Sequence, residues 1–441
     1  MGPHTASLDQ GRGCSPRSQT GSGRAPRERI SIVSASVGAG HDGAAGELSR
    51  QLRAIGYQVD CHDFLDLLGE RAGGALRRAY ATELKVAPES WGWVVGNLER
   101  REWMANAVGA LVSRRAVTRA TRLFGSDPMR RNPVAEHPLP GDEALPPPRV
   151  IVSTYHLASQ LLGRMRRSGE LAAPVVTFLT DLSVHPLWIA DGVDLNLALH
   201  DVAATQARRH RGEVVEVCSP AVRPAFHPVS DPAEAARTRA AYGLPPTGRL
   251  ALVVAGSWGV GQVAEAAADL AATGLVTPVT ICGRNESLRE RLTRDGTGVA
   301  LGWVEQMAEL IRASDVVVQN AGGLTSLEAM AVGVPVITYR CLPGHGTTNA
   351  QALHDAGLAP WVRDPAELSA VLTGVLGGDR GRRQRAAAGE MFRAPSAIDS
   401  IVAMASGVDP RSVADTHPEL SVAGRSAVGD PAHPSFAGAR R

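Results

Sequence analysis

The chain has 441 residues, enough for two domains of ordinary size that each close their own apolar core. An apolar fraction of 44% fits a globular protein, and a formal net charge of +2 supplies no field of one sign, which argues against nucleic acid as a partner. The five cysteines (Cys14, Cys61, Cys218, Cys282 and Cys341) are scattered without C-x-x-C spacing, so neither a disulfide framework nor a zinc site is indicated, and a reducing cytoplasm is expected.

Residues 1–28 are rich in Gly, Ser, Arg and Pro and lack an apolar h-region, so they read as a disordered extension and not as a secretory signal. Arg29 to Ser36 is a short apolar strand, Val37-Gly-Ala-Gly40 a Gly-rich turn, and His41-Asp42 the opening of a helix that runs to about Ala54. Leu48, Leu52 and Ile55 recur on it at helical spacing. A histidine at the mouth of a strand–turn–helix lies where open α/β sheets bind ligands, and imidazole is well suited to take a proton near neutral pH. His41 could equally cap or solvate the turn. Further strands are expected near 58–62, 149–153, 174–179, 194–199 and 214–217, with a long polar loop near 126–149. His62 with Asp60, Asp63 and Asp66 looks metal-like, yet these residues alternate along a strand and its exit.

A joint falls near Pro220–Pro228, and a second run of strands follows near 249–254, 277–282, 298–301, 315–319 and 335–339. Alternating strands and helices predict an α/β chain with two doubly wound parallel sheets facing across a cleft. The divisions expected are 29–225, 226–405 and a disordered tail at 406–441. In the second run, Val318 to Tyr339 reads as strand, Gly-containing turn, helix opening near Gly323, and strand. Gly322 and Gly323 allow close backbone approach, and the helix start offers free N–H groups and partial positive charge to a phosphate. Thr325 adds a hydroxyl, and Glu328 stands about one turn on, where a carboxylate can accept from ribose hydroxyls. An ordinary strand–turn–helix without a ligand fits the two glycines as well.

Several stretches agree in order and spacing with a known family. They are Ser-Ala-Ser-Val-Gly-Ala-Gly-His41, Arg78-Ala-Tyr80 with Pro88-Glu-Ser-Trp91, Thr180-Asp181 with His185-Pro186-Leu-Trp188, and Pro220 to Phe226. In the second half come Ala255 to Gly261, Cys282 to Asn285, Gly302-Trp303, Ala321 to Glu328, and Pro343-Gly344 with Asn349. Together they resemble the GT-B glycosyltransferases of the monogalactosyldiacylglycerol synthase and diacylglycerol glucosyltransferase group. The peptidoglycan lipid-linked N-acetylglucosaminyltransferase is a more distant relative.

The resemblance implies an inverting transfer of a hexose from a UDP-sugar, serving as co-substrate with no further cofactor, to a lipid or other hydrophobic acceptor such as diacylglycerol. His41 matches the family's base, with Asp181 as carboxylate partner or substitute base. Gly256, Ser257, Gly259, Gly322, Gly323, Leu324 and Thr325 correspond to the diphosphate cradle, Trp303 and Val304 to the segment that meets the nucleobase, and Glu328 to the ribose contact. Trp303 could equally be a core residue. No D-x-D occurs, so a metal-independent reaction is expected. After Pro343-Gly344 the galactolipid group carries Gln-Glu where this chain has His345-Gly346, which leaves the donor hexose open, with His345 and Asn349 placed near it.

Gly40, Trp91, Trp93, Arg100 and Arg101 fall in the acceptor region, and the apolar positions between Trp91 and Val112 are spaced like one helix face with arginines among them. Such a face suits peripheral contact with the anionic inner surface of the cell membrane, or burial in the first domain. No stretch approaches the ~20 apolar residues that span a bilayer. A soluble natural product as acceptor, a UDP-sugar 2-epimerase and a non-catalytic nucleotide-sugar-binding protein share the architecture. A dinucleotide-dependent oxidoreductase fits less well, because the first turn lacks the third glycine of G-x-G-x-x-G.

Overall fold

The computed structural model describes residues 27–69, 71–76, 116–125, 146–210, 214–228, 231–254, 256 and 259–407. Two six-stranded parallel sheets organise them. The first comprises β1 (Arg27–Ser34), β2 (Tyr57–Asp63), β3 (Val150–Ser153), β4 (Val175–Phe178), β5 (Leu195–Ala198) and β6 (Val215–Val217), in the order β2-β1-β3-β4-β5-β6. The second comprises β7 (Leu250–Val254), β8 (Thr277–Ile281), β9 (Val299–Leu301), β10 (Val316–Gln319), β11 (Val336–Tyr339) and β12 (Trp361–Val362), in the order β12-β11-β10-β7-β8-β9. β3, β4, β7, β10 and β11 are buried at every position. Apolar, largely β-branched runs of this kind are what a sheet covered by helices on both faces requires.

Both sheets follow the doubly wound rule, and each has one point where the strand order reverses. In the first it lies between β1 and β3, in the second between β10 and β7. Ligands of such sheets bind outside the carboxyl ends of the strands at these points. The turn after β1 leads into α1 (Ala39–Ala54), which buries Ala44, Ala45, Leu48 and Leu52. Helix α1 starts two residues before His41, because Ala39 and Gly40 already take helical geometry. His41 therefore occupies the third helical position instead of the first.

A buried guanidinium ties β1 to β2: Arg29 donates through Nε and Nη2 to the two Asp60 oxygens at 2.8 Å each, and Ser31 adds a third contact at 3.0 Å. His62 also meets Asp60, while Asp63 accepts from the Leu65 amide at 2.9 Å. Asp60 and Asp63, two of the carboxylates that read as metal-like in sequence, are thus engaged in fold contacts. Among the described residues no group of three or more His, Cys, Asp or Glu is arranged to hold a metal ion.

One apolar core runs from Ile30 of the first sheet and Leu48 of α1 through Phe226 and Leu250 to Leu327 and Ile401. The helix Ala397–Ala405 follows the second sheet in sequence but returns to the first, lying against β3 and α1. Ser400 Oγ donates to Glu216 at 2.8 Å and the Ser219 amide to the Pro395 carbonyl at 2.8 Å, fixing this return. No helix among the described residues is long and apolar enough to cross a membrane.

Candidate active site

The two switch points face each other, and helix α1 brings them into contact. A Cβ placed on Gly43 would lie 2.5 Å from Leu324 Cδ2, so the bare Gly43 position of α1 lies against the first residue of the helix Leu324–Val332. His41 sits half a turn away from Gly43, at the carboxyl edge of the first sheet. Its Nδ1 lies 2.8 Å from the Thr154 carbonyl oxygen, just beyond β3, and 3.2 Å from Thr180 Oγ1, just beyond β4. A carbonyl oxygen only accepts, so Nδ1 carries the proton and the lone pair falls on Nε2. Burial pushes the His41 pKa down, with the Asp181 charge working in the opposite direction, so the ring is uncharged at neutral pH. The orienting partner of His41 is thus a backbone carbonyl. The Asp181 carboxylate, expected as that partner, is turned toward the second sheet.

Asp181 belongs to a polar bridge between the sheets. Asn349 donates to its Oδ1 at 3.3 Å and to the Ala321 carbonyl at 3.3 Å, and His345 Nε2 stands 3.5 Å from Oδ2. Asn349 Nδ2 also lies 3.2 Å from His345 Nε2, so the three side chains form one cluster. Asn349 Oδ1 in turn accepts from the Ser183 amide at 3.0 Å, and Thr348 lies 3.3 Å from Ser183 Oγ. Burial opposes ionisation of Asp181, yet His345, His41 and Asn349 hold its carboxyl well below the usual carboxylate range. It is an anion at neutral pH. His345 and Asn349 are both placed by the helix His345–Asp355, whose N-cap is Gly344.

On the second sheet, Gln319 at the end of β10 shapes the glycine turn. Its Oε1 accepts from the amides of Ala321 (2.7 Å) and Gly322, and its Nε2 donates to Thr338 Oγ1 at 2.8 Å. Gly322 has φ +85°, and a Cβ there would be 2.8 Å from Asn349 Cβ, so both conformation and space demand glycine. The helix Leu324–Val332 then starts from Gly323 without any side chain capping its first turn. Its early N–H groups, with the Thr325 hydroxyl, are left to an external acceptor. The turn after β7 abuts this one: Asn320 Nδ2 donates to the Val260 carbonyl at 2.9 Å, and Asn285 Nδ2 to the Gly259 carbonyl at 3.0 Å. Gly256 and Gly259 both take left-handed φ, at +65° and +55°.

Trp303, read as either core or contact, is 57% exposed beyond β9, with the Arg284 guanidinium 5.1 Å from the ring centre, while its neighbour Val304 is buried. Glu328 is buried, and Arg223, 3.7 Å away on the connection between the sheets, is its ionic neighbour among the described residues. Burial pushes the Glu328 carboxyl up to about 7, with Arg223 working against the rise. The native state then holds a proton that the unfolded chain releases from about pH 4.5, so this carboxyl erodes stability as pH rises from there to about 7. Glu328→Gln is expected to flatten that loss, by up to ~3 kcal/mol at pH 8 on a conversion of ~1.4 kcal/mol per tenfold in proton affinity. Urea denaturation at pH 5 and pH 8 measures it, and equal slopes in the two proteins would refute it.

Gly40 lies within the first turn of α1, beside His41. Ser257, Trp91, Trp93, Arg100 and Arg101 lie outside the described residues. Thr154, Tyr155, His156 and Arg223 escaped the sequence reading as site residues. Thr154 works through its carbonyl, which leaves no side-chain signature, although its place just beyond a predicted strand was a usable signal.

Residues 146–218 match the family model described as monogalactosyldiacylglycerol (MGDG) synthase, and residues 248–376 the model for glycosyl transferases group 1. A processive diacylglycerol beta-glucosyltransferase of Bacillus subtilis is 30% identical over 241 residues, covering 52% of this chain and 61% of that protein. The Bacillus thuringiensis protein of the same name is 28% identical over 264 residues, covering 58% and 66%. The chain thus spans about three fifths of the length of the first of these relatives. Among solved structures, Os79 from O. sativa, determined with U2F and trichothecene, shares the fold at a TM-score of 0.51 and 15% identity, covering 86% of this chain and 99% of that one. The chain has the GT-B fold and is similar in sequence to the MGDG synthase model and to diacylglycerol glucosyltransferases. Both family matches flank the cleft, one ending on the β6 side of the first sheet and the other spanning β7 to the helix after β12.

Proposed function

We propose that this GT-B protein transfers a hexose from a UDP-sugar to the hydroxyl of a lipid acceptor such as diacylglycerol, with inversion and without a metal ion. One observation carries the reading: the helix that holds the uncharged His41 touches, through Gly43, the helix whose uncapped N-terminus can receive a diphosphate. Base and leaving-group cradle are thereby held on adjoining helix ends. His41 Nε2 takes the acceptor proton as the hydroxyl oxygen attacks the anomeric carbon. Charge that develops on the departing diphosphate meets the N–H groups of Gly323, Leu324 and Thr325 and of the turn at Gly256. Each such helix-end interaction is worth ~0.3–2 kcal/mol, so the cradle works by convergence of several donors. Glu328 accepts from the ribose hydroxyls, and Trp303 offers its exposed face to the base.

His345 and Asp181, 3.5 Å apart beside Asn349, offer hydrogen-bonding groups to the sugar hydroxyls. Similarity to proteins named diacylglycerol glucosyltransferases supports the lipid acceptor, and peripheral contact with the inner membrane face follows from such an acceptor. Incubating the protein with radiolabelled UDP-glucose, UDP-galactose and UDP-N-acetylglucosamine and dioleoylglycerol vesicles tests the reading. Labelled, base-stable glycolipid with one donor is the expected result. UDP binding without transfer to the lipid would remove diacylglycerol and favour a soluble acceptor or a non-catalytic binder.

A further inference from the structure

We propose that His156 and His185, standing with His41 around one buried indole, form a subsite that binds the uncharged, hydroxyl-bearing head group of the acceptor. This rests on the transferase reading above and assigns two residues that it leaves unused. Trp188 is 1% exposed, and its ring centre lies 5.9 Å from that of His41, 5.6 Å from His156 and 6.2 Å from His185. His156 and His185 are 5.1 Å apart, edge to face. Three imidazoles therefore share one floor. His156 opens the helix His156–Arg167 two residues past the carbonyl that orients His41, and His185 stands two residues past Ser183 of the interdomain bridge. All three rise from the carboxyl ends of neighbouring strands, where the acceptor hydroxyl must approach His41.

The two further rings are held by ring contacts, and among the described residues neither is hydrogen-bonded through its side chain. Both residues are half-buried. Burial pushes His185 down to about 3, and burial together with the neighbouring His185 pushes His156 well below the usual histidine range. An uncharged imidazole presents one donor and one acceptor, the complement of a hydroxyl group, and offers no cation to a phosphate. The Asp181 carboxylate nearby repels an anionic head group as well. The subsite therefore selects neutral, hydroxylated acceptors over acceptors that carry a phosphate.

The experiment compares transfer from UDP-glucose to dioleoylglycerol, to its monoglucoside and to dioleoylphosphatidylglycerol, in vesicles otherwise of phosphatidylcholine. Wild type is expected to use the two neutral lipids at least about 10-fold better than the anionic one, in the range that a few hydrogen bonds discriminate. His156→Ala and His185→Ala are expected to raise the acceptor KM about 10-fold and to leave the KM for UDP-glucose within about twofold. His156→Asn and His185→Asn, which keep a donor and an acceptor, should recover most of it, and His185→Lys should narrow the gap to the anionic lipid. Folded alanine variants with wild-type acceptor KM, asparagine variants that restore nothing, or a donor KM that moves as far as the acceptor KM would each overturn the subsite while the transferase reading stands. Wild type that transfers to none of the three lipids would overturn both.

Discussion

His41→Ala is expected to lower kcat by ~10²–10⁴-fold while leaving UDP affinity within about twofold, the mark of a lost general base. The argument rests on tautomer and charge together. The Thr154 carbonyl at 2.8 Å keeps the proton on Nδ1, so Nε2 is the nitrogen that can receive one. Burial keeps the ring uncharged below the usual histidine range, which places the acid limb of the pH–rate profile below ~6.5. Asp181 is the largest influence raising the His41 pKa, so Asp181→Asn should move that limb to still lower pH. The same variant should slow transfer, because the imidazolium that forms as the proton moves loses its nearest anion. Isothermal titration with UDP beside steady-state transfer rates separates the two effects. A His41→Ala enzyme with undiminished kcat would remove the base from this residue, and Asp181→Asn with an unmoved acid limb would remove the coupling.

The sheets were legible because parallel strands buried on both faces read as short apolar runs, such as Val150–Ser153 and Val316–Gln319. β12 was missed because Trp361–Val362 has two residues and no period to detect. The return of Ala397–Ala405 to the first sheet was hidden for another reason. Its apolar stripe, with Ile398 and Ile401 buried, says that the helix must bury a face but not against which sheet. Site residues follow the same division. His41, Gly322 and Glu328 stand in local strand–turn–helix patterns that declare themselves. The pairing of Asp181 with His345 and Asn349 joins positions more than 160 residues apart and arises only when the two sheets face each other. The Thr154 carbonyl that orients the His41 ring has no signature in side-chain chemistry, although the Thr154 hydroxyl also donates to the His41 carbonyl at 3.2 Å.

Gly322→Ala is expected to weaken UDP binding by at least ~10–100-fold, whereas Gly323→Ala next to it should change binding by less than about threefold. The two glycines look interchangeable in sequence, but their surroundings differ. At Gly322 an alanine must adopt φ +85°, a strained conformation that costs ~1–3 kcal/mol. Its Cβ would also sit 2.8 Å from Asn349 Cβ and 3.3 Å from Leu353 Cδ1. Asn349 cannot move aside cheaply, because it is 1% exposed and joined to Asp181, Ala321 and Ser183. The turn must yield instead, and with it the start of the helix Leu324–Val332. Donors that contribute ~0.3–2 kcal/mol apiece lose most of their effect when they no longer converge on one diphosphate. Around Gly323, with φ −75°, a Cβ meets nothing within 4 Å. Titration of both variants with UDP therefore tests the cradle against a neighbouring control. Equal losses at the two positions would mean that close packing on Asn349 does not set the geometry of the turn.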